Sequence, residues 1–493
     1  MTSTFAHPTI IQGGMGVGVS DWVLARAVSM RGQLGVVSGT ALDSLFVRRL
    51  QDGDEGGHLR RAMAHFPLPD VATDVLTRYF LPEGRVPGVP YKPVPMYKQV
   101  VSRVRHQLTM AANFCEVFLA KEGHDGVVGI NLLTKVQMPN LGSLYGAMLA
   151  GVDYVLMGAG IPKEIPGTLD RLAEHRTASI RLDVDGLGRD EAEYITFDPS
   201  EHWPDGLPAP LRRPFFLPII ASNSLATMLA RKANGRVDGF IIEGPTAGGH
   251  NAPPRGEIQL NERGEPIYGD RDVVDLEKIR DLGLPFWAAG GTGRPEKLLE
   301  VMEAGGTGVQ VGTLFAYCDE SGISVEHRER VLRQSMDEPV DVLTDFRASP
   351  TGFPFKVVQL EGTISSEPVY QARERVCDLG YLRTAYRMEG GRLGYRCPAE
   401  PVDTFVKKGG DLAETMGRKC LCNGLLADIG YGQLRDGGEV EKPLLTSGDD
   451  LKQITRFAAG RTSYSASDVI DFLFSGLIGT PYESRALHHA HSG

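Results

Sequence analysis

Short apolar runs rich in β-branched residues alternate along this chain with stretches whose apolar positions recur every three to four residues. The short runs cover residues 9–11, 34–39, 127–133, 153–158, 216–222, 238–244, 285–291 and 307–315. Continuous apolar runs of this length suit strands buried on both faces, as in a parallel sheet. Helical patterns follow most of them. The clearest are 22–28, with Ser20 as its expected cap, and 296–302. Eight such units predict an α/β protein built as a (β/α)8 TIM barrel.

Three stretches exceed a minimal barrel. Residues 43–121 mix helical patterns with Pro87, Pro90, Pro93 and Pro95, and read as a helical excursion after the second strand. Such an excursion suits a lid over the barrel mouth or a dimer face. Residues 166–214 contain a hairpin pattern, 179–183 with 194–197. From 349 the chain is expected to leave the barrel. The predicted organisation is therefore a barrel over 1–348, with insertions at 43–121 and 166–214, and a Cys-containing C-terminal extension or subdomain over 349–493.

Many of the predicted strands end in Gly, Ser, Asn or Thr, at the end where a barrel carries its chemistry. Ala288-Ala289-Gly290-Gly291-Thr292-Gly293 closes the seventh strand, and Gln310-Val311-Gly312-Thr313 closes the eighth. Loops at these two positions commonly hold phosphate, because glycine leaves backbone N–H groups accessible to it. Glu243-Gly244-Pro245-Thr246-Ala247-Gly248-Gly249-His250 follows the sixth strand. The glycine pair lets the backbone approach a flat ring, and histidine is the side chain suited to moving a proton near neutrality. Gln12-Gly13-Gly14-Met15-Gly16-Val17-Gly18 follows the first strand. Its spacing is not that of a dinucleotide-binding G-x-G-x-x-G loop, and it lacks the G-K-[ST] of a Walker loop.

Composition narrows the classes. The chain has 52 Lys and Arg against 62 Asp and Glu, a formal charge of -10, and no long basic run. Nucleic acid is therefore not expected as a partner. No apolar stretch is long enough to cross a bilayer, and a strand beginning near residue 9 leaves no room for a secretory segment. With six Cys in 493 residues the chain is no disulfide scaffold. The expected compartment is the cytoplasm.

Taken in order, these segments resemble the nitronate monooxygenase family and the related FMN-dependent enoyl-ACP reductases. The resemblance rests on Ile11-Gln12-Gly13-Gly14-Met15, Gly129-Ile130-Asn131, the Glu243 to His250 segment, Ala288 to Gly291 and Gln310 to Phe315, with a weaker echo in Ser349-Pro350-Thr351-Gly352. It spans roughly residues 8–323, interrupted by the two insertions. It implies a barrel holding one FMN. Gly14, Met15, Asn131, Glu243, Gly248 and Gly249 would line the flavin. Gly290, Gly291, Gly312 and Thr313 would hold its phosphate, and His250 would take the catalytic position. The implied reaction is oxidation of an alkyl nitronate with O2. The expected substrate of this FMN-dependent oxidoreductase is a small molecule or acyl-linked; an alternative is an NAD(P)H-dependent enoyl or quinone reductase, and another is a flavin- or metal-binding scaffold without turnover. After His250 the sequence departs from the family, with Asn251-Ala252-Pro253-Pro254-Arg255-Gly256 in place of an early glycine. Arg255 there reads either as a binder of an anionic group or as a solvated loop residue. A homodimer is one expected assembly.

Cys377, Cys397, Cys420 and Cys422 cluster in the C-terminal stretch, whereas Cys115 and Cys318 read as packing residues. Four soft ligands suggest a zinc or iron–sulfur site, although the spacing matches neither a zinc ribbon nor a ferredoxin. The other reading is reduced thiols packed in an apolar interior.

Overall fold

The computed structural model describes residues 7–484; the extreme ends of the two expected segments, 1–6 and 485–493, lie outside the described residues. All eight expected strands form: β1 (Ile10–Gln12), β2 (Gly35–Ser38), β3 (Val128–Leu133), β4 (Tyr154–Gly158), β5 (Phe215–Ile220), β6 (Phe240–Glu243), β7 (Phe286–Ala289) and β8 (Gly308–Val311). Neighbours pair in parallel around one sheet, running from β2 through β3 to β8 and then to β1. The ring closes between β1 and β2, where Gln12 N–H donates to Leu34 O (3.0 Å) and Leu34 N–H to Ile10 O (3.0 Å). This is a (β/α)8 barrel.

Its interior is a packed core of Ile11, Leu34, Val36, Tyr154, Leu156, Leu217, Ile241, Trp287 and Ala289. A larger apolar layer joins the outer faces of the strands to the helices. The helix after β1 is α1 (Trp22–Met30). Its cap is Asp21 and not Ser20: the Asp21 carboxylate accepts from Val23 N–H (2.9 Å) and Leu24 N–H (3.3 Å). Ser20 serves the glycine loop instead, accepting from Met15 N–H (2.9 Å) and donating to Gly13 O (2.8 Å).

The excursion after β2 contains helices Leu42–Gln51, His58–Met63 and Pro69–Tyr79 and the proline-rich turn. Its last helix, α2 (Arg103–Lys121), packs against α1 and α3 (Asn140–Leu149), so it occupies the barrel position between β2 and β3. The hairpin in the second insertion forms, with Ala178–Leu182 antiparallel to Glu193–Phe197. Helices α4 (Ile165–Ala173), α5 (Asn223–Lys232), α6 (Leu276–Arg280) and α7 (Pro295–Glu303) follow β4 to β7.

The C-terminal stretch returns to the barrel. Its helix α8 (Ala466–Phe474) packs against both α1 and α7, the place of the barrel's eighth helix. Strands β9 (Val342–Asp345) and β10 (Phe355–Val358) form an antiparallel pair beside the mouth. The same stretch meets the excursion through buried contacts: Tyr91 N–H donates to Gln433 Oε1 (2.8 Å), and Gln433 Nε2 donates to Tyr91 O (3.0 Å). A cut at 348–349 thus divides sequence stretches that share one apolar core. Among the described residues no helix is long and apolar enough to cross a membrane.

Candidate active site

The C-terminal ends of the strands open into a cavity of about 1220 Å³, counting its open side. Every residue assigned by the sequence resemblance borders it: Gly14, Met15, Asn131, Glu243, Gly248, Gly249, His250, Gly290, Gly291, Gly312 and Thr313. They come from the loops after β1, β6, β7 and β8 and from strands β3 and β6 themselves, which the barrel closes into one ring of walls.

Local chemistry explains the wall after β1. Asn131 Nδ2 donates to Gly14 O (3.0 Å), fixing the loop to β3. A Cβ on Gly14 would stand 2.3 Å from the Asn131 Cβ, so only glycine permits this approach. Met15 borders the cavity with its sulfur 3.4 Å from where a Cβ on Gly312 would sit. Gly290 and Gly291 both have positive φ, 87° and 66°, which turns the chain sharply out of β7.

Two buried side-chain oxygens in this wall, Asn131 Oδ1 and Gln310 Oε1, have no hydrogen-bond partner within the protein. Buried polar atoms are rarely left so, and a ligand's donors would satisfy them.

Glu243 and His250 are half-buried, with their open sides on this cavity and on an adjoining hollow. Burial pushes the Glu243 carboxyl up to about 8 and the His250 imidazole down to about 4. Both groups are therefore neutral near pH 7. His250 Nε2 hydrogen-bonds Ser349 Oγ (2.7 Å), and Ser349 Oγ in turn meets Thr351 Oγ1 (2.8 Å). Phe355 packs edge-on to the imidazole at 4.8 Å between centroids. The faint Ser349-Pro350-Thr351 echo in the sequence is thus the segment that orients the histidine.

The sequence reading missed one wall altogether. Residues 446–450, Thr-Ser-Gly-Asp-Asp, cross the cavity as a strap. Gly249 N–H donates to Thr446 Oγ1 (2.9 Å), Gly448 N–H to Thr313 Oγ1 (3.1 Å), and Asp449 N–H to Thr246 O (3.0 Å). Buried Lys356 anchors the strap through both oxygens of Asp449 (2.8 Å each). Its only sequence signal is a polar turn after an apolar pair.

Arg255 stands exposed on the rim of an adjoining hollow that His250 and Glu243 also border. Its guanidinium donates to Ala221 O (2.7 Å).

The zinc or iron–sulfur expectation for Cys377, Cys397, Cys420 and Cys422 is corrected. The four thiols border one small hollow, yet among the described residues no three His, Cys, Asp or Glu side chains are placed to share a metal ion. Cys420 Sγ instead accepts from Asn423 Nδ2 (3.5 Å) and lies 3.9 Å from Val376 O. All six cysteines are free. Cys115 and Cys318 are fully buried, as packing residues are.

Comparison with known proteins bears out the resemblance read from the motifs. Residues 213–351 match the family described as nitronate monooxygenase. This segment runs from just before β5 to Thr351 and includes His250 and its Ser349 partner. The chain is 36% identical to a nitronate monooxygenase of Pseudomonas aeruginosa over 92 residues, which is 19% of this chain and 24% of that protein. It is 29% identical to a probable nitronate monooxygenase of Staphylococcus haemolyticus over 140 residues, 27% of this chain and 37% of that protein. The matches therefore span well under half of these relatives. Among solved structures, FabK from Thermotoga maritima aligns with a TM-score of 0.49 at 15% identity, over 98% of this chain and 96% of that one. A nitroalkane oxidase from Streptomyces ansochromogenes aligns with a TM-score of 0.44 at 15% identity, over 97% of each chain.

Proposed function

We propose, from the nitronate monooxygenase match over 213–351 and the cavity it shares with the β1 and β3 walls, that this protein is an FMN-dependent oxidoreductase. Oxidation of alkyl nitronates with O2 is the reaction we assign to it. The observation that carries this reading is the convergence of neutral His250, neutral Glu243 and two unpartnered amide oxygens on one glycine-walled cavity. Those residues fit FMN. The glycine walls admit a flat ring, Asn131 and Gln310 present acceptors to it, and the loops at Gly290, Gly291, Gly312 and Thr313 suit its phosphate. FMN bound there supplies the redox chemistry, taking electrons from the substrate and delivering them to O2.

The chain's own residues supply the rest. His250 stays unprotonated down to about pH 4, so it is a proton acceptor through the neutral range. With Nε2 engaged by Ser349, Nδ1 is the nitrogen left to exchange a proton with a ligand. Glu243 remains protonated to about pH 8 and can donate a hydrogen bond rather than repel an anionic substrate.

The test is the visible spectrum of the purified protein under anaerobic conditions, before and after addition of an alkyl nitronate and, separately, NAD(P)H. Bleaching by nitronate alone is expected. Bleaching by NAD(P)H alone would move the assignment to an enoyl or quinone reductase. A colourless protein that FMN cannot reconstitute would overturn the flavin reading. His250→Ala should keep its flavin and lose about 10²–10⁴-fold in turnover; full turnover in that variant would remove His250 from the reaction.

A further inference from the structure

Asp450 stands where an anion is expected. It ends the strap, and its carboxylate accepts from Gly293 N–H (3.1 Å) in the loop after β7. A Cβ on Gly291 would lie 3.8 Å from Asp450 Oδ1, and one on Gly293 would lie 3.0 Å from Oδ2. The carboxylate therefore covers the loop that the sequence marks for phosphate, and it borders the same cavity.

We infer that Asp450 and an incoming phosphate compete for the 290–293 loop, so that a phosphate-bearing ligand enters this cavity with uptake of a proton. The inference rests on the FMN reading for the identity of the ligand. Two anions cannot share a few ångströms of enclosed space without one being neutralised. The pair therefore takes up one proton, shared between a carboxyl already raised by burial and a phosphomonoester whose own second ionisation lies near pH 6.

The surroundings of Asp450 favour this. Burial raises its carboxyl above the ordinary range, against the Gly293 N–H and Arg294, which lower it; Asp449 raises it further. The other charges nearby are already engaged. Lys356 on β10 is committed to Asp449, and Arg456 on the far side pairs with Glu296. Among the described residues Arg294, whose Nε is buried without a partner, is the remaining cation beside the loop, one positive charge against two anions.

The strap makes the competition structural rather than incidental. A Cβ on Gly248 would lie 2.8 Å from Gly448 N and 2.8 Å from Ser447 C, so strap and flavin-side loop already touch. The backbone leading to Asp450 is held by the bonds of Thr446, Gly448 and Asp449 to the walls.

The experiment is calorimetric titration of the flavin-free protein with FMN and with riboflavin, which lacks the phosphate, at pH 7.5 in two buffers of different ionisation enthalpy. Wild-type protein should take up between half and one proton per FMN and none per riboflavin. Asp450→Asn should abolish the uptake and bind FMN about tenfold more tightly, the equivalent of one pKa unit. The wild-type contrast between FMN and riboflavin needs no variant, so it stands even if the substitution fails to fold. Equal uptake for the two flavins, or FMN binding unchanged or weakened by Asp450→Asn, would overturn the competition and make Asp450 a support of the loop. Riboflavin binding in that case would leave the flavin reading intact. Binding of neither flavin would remove the reading and the inference together.

Discussion

The two ends of this barrel are built from the same eight strands and do opposite things with polar groups. At the closed end, where the strands begin, His7 packs against Tyr154, Phe215 and Trp287, with its ring 5.7 Å from that of Trp287. His7 Nδ1 meets Tyr154 OH at 2.8 Å, and Trp287 Nε1 donates to Pro8 O at 2.8 Å. These hydrogen bonds are made within the chain, while Gln33, whose Oε1 accepts from Ile10 N–H at 2.8 Å, keeps one unpartnered amide nitrogen. At the open end, Asn131 and Gln310 carry unpartnered oxygens, and Glu243 and His250 sit in burial that suppresses their charge. A folded protein tolerates such groups where something else completes them. The closed end is packed around its own hydrogen bonds, and the open end borders a cavity.

That division is broken most directly at Trp287, which is fully buried in the inner core. Trp287→Ala leaves a cavity no neighbour can fill and should cost about 3–5 kcal/mol of stability. Urea unfolding reads the loss directly. Flavin content per folded molecule should not change, because the site lies at the other end of the strands. A variant that kept its stability and lost its flavin would erase the distinction between the ends.

The open end responds to pH instead. Glu243 is protonated in the fold up to about pH 8, whereas an unfolded glutamate ionises near 4.5. The folded state therefore binds the extra proton between those values, and wild-type stability without ligand falls as pH rises through that window. Glu243→Gln has no proton to lose. Its advantage over wild type should be absent at pH 4.5, grow to a few kcal/mol by pH 8 and stay level above it. Thermal unfolding of the flavin-free proteins across pH 4.5–9 measures this, and a constant difference would show that the carboxyl is not held neutral.

The sequence made the strands and every cavity wall but the strap legible for a physical reason. Buried parallel strands need continuous apolar runs, and loops that approach a ligand closely need glycine, so both leave local traces at residues such as Ile241 and Gly291. The strap 446–450 leaves only a polar turn after an apolar pair, because its bonds to Gly249, Thr246 and Thr313 are made by backbone groups and one threonine hydroxyl. Helix α8 has the right amphipathic face, but it follows β8 by more than 150 residues, and nothing local says that it returns. The four clustered cysteines left two readings open: ligand type was legible, and their placement, which among the described residues offers no three ligands to one metal ion, was not. Ser20 and Asp21 are both good caps, and only the fold decides between them. Buried Arg49 pairs with Asp21 at 3.0 Å and with Glu116 at 3.1 Å, which fixes Asp21 at the helix start.

The return of α8 gives the smallest test of the comparison, because it asks whether the ring of helices is held by its surface or by its buried face. Arg31 at the end of α1 pairs with Asp471 on α8 at 2.6 Å, with the two side chains 31% and 65% exposed. An ion pair so open to water gains little, since solvent and salt screen it and two long side chains lose freedom. By contrast, Val469, Ile470 and Leu473 of α8 are buried in the main apolar core. Arg31→Ala should therefore change stability by less than about 1 kcal/mol, and 1 M salt should shrink even that difference. A larger loss, insensitive to salt, would mean that α8 is docked chiefly through this contact and that the C-terminal stretch is less firmly part of the barrel than its buried residues imply.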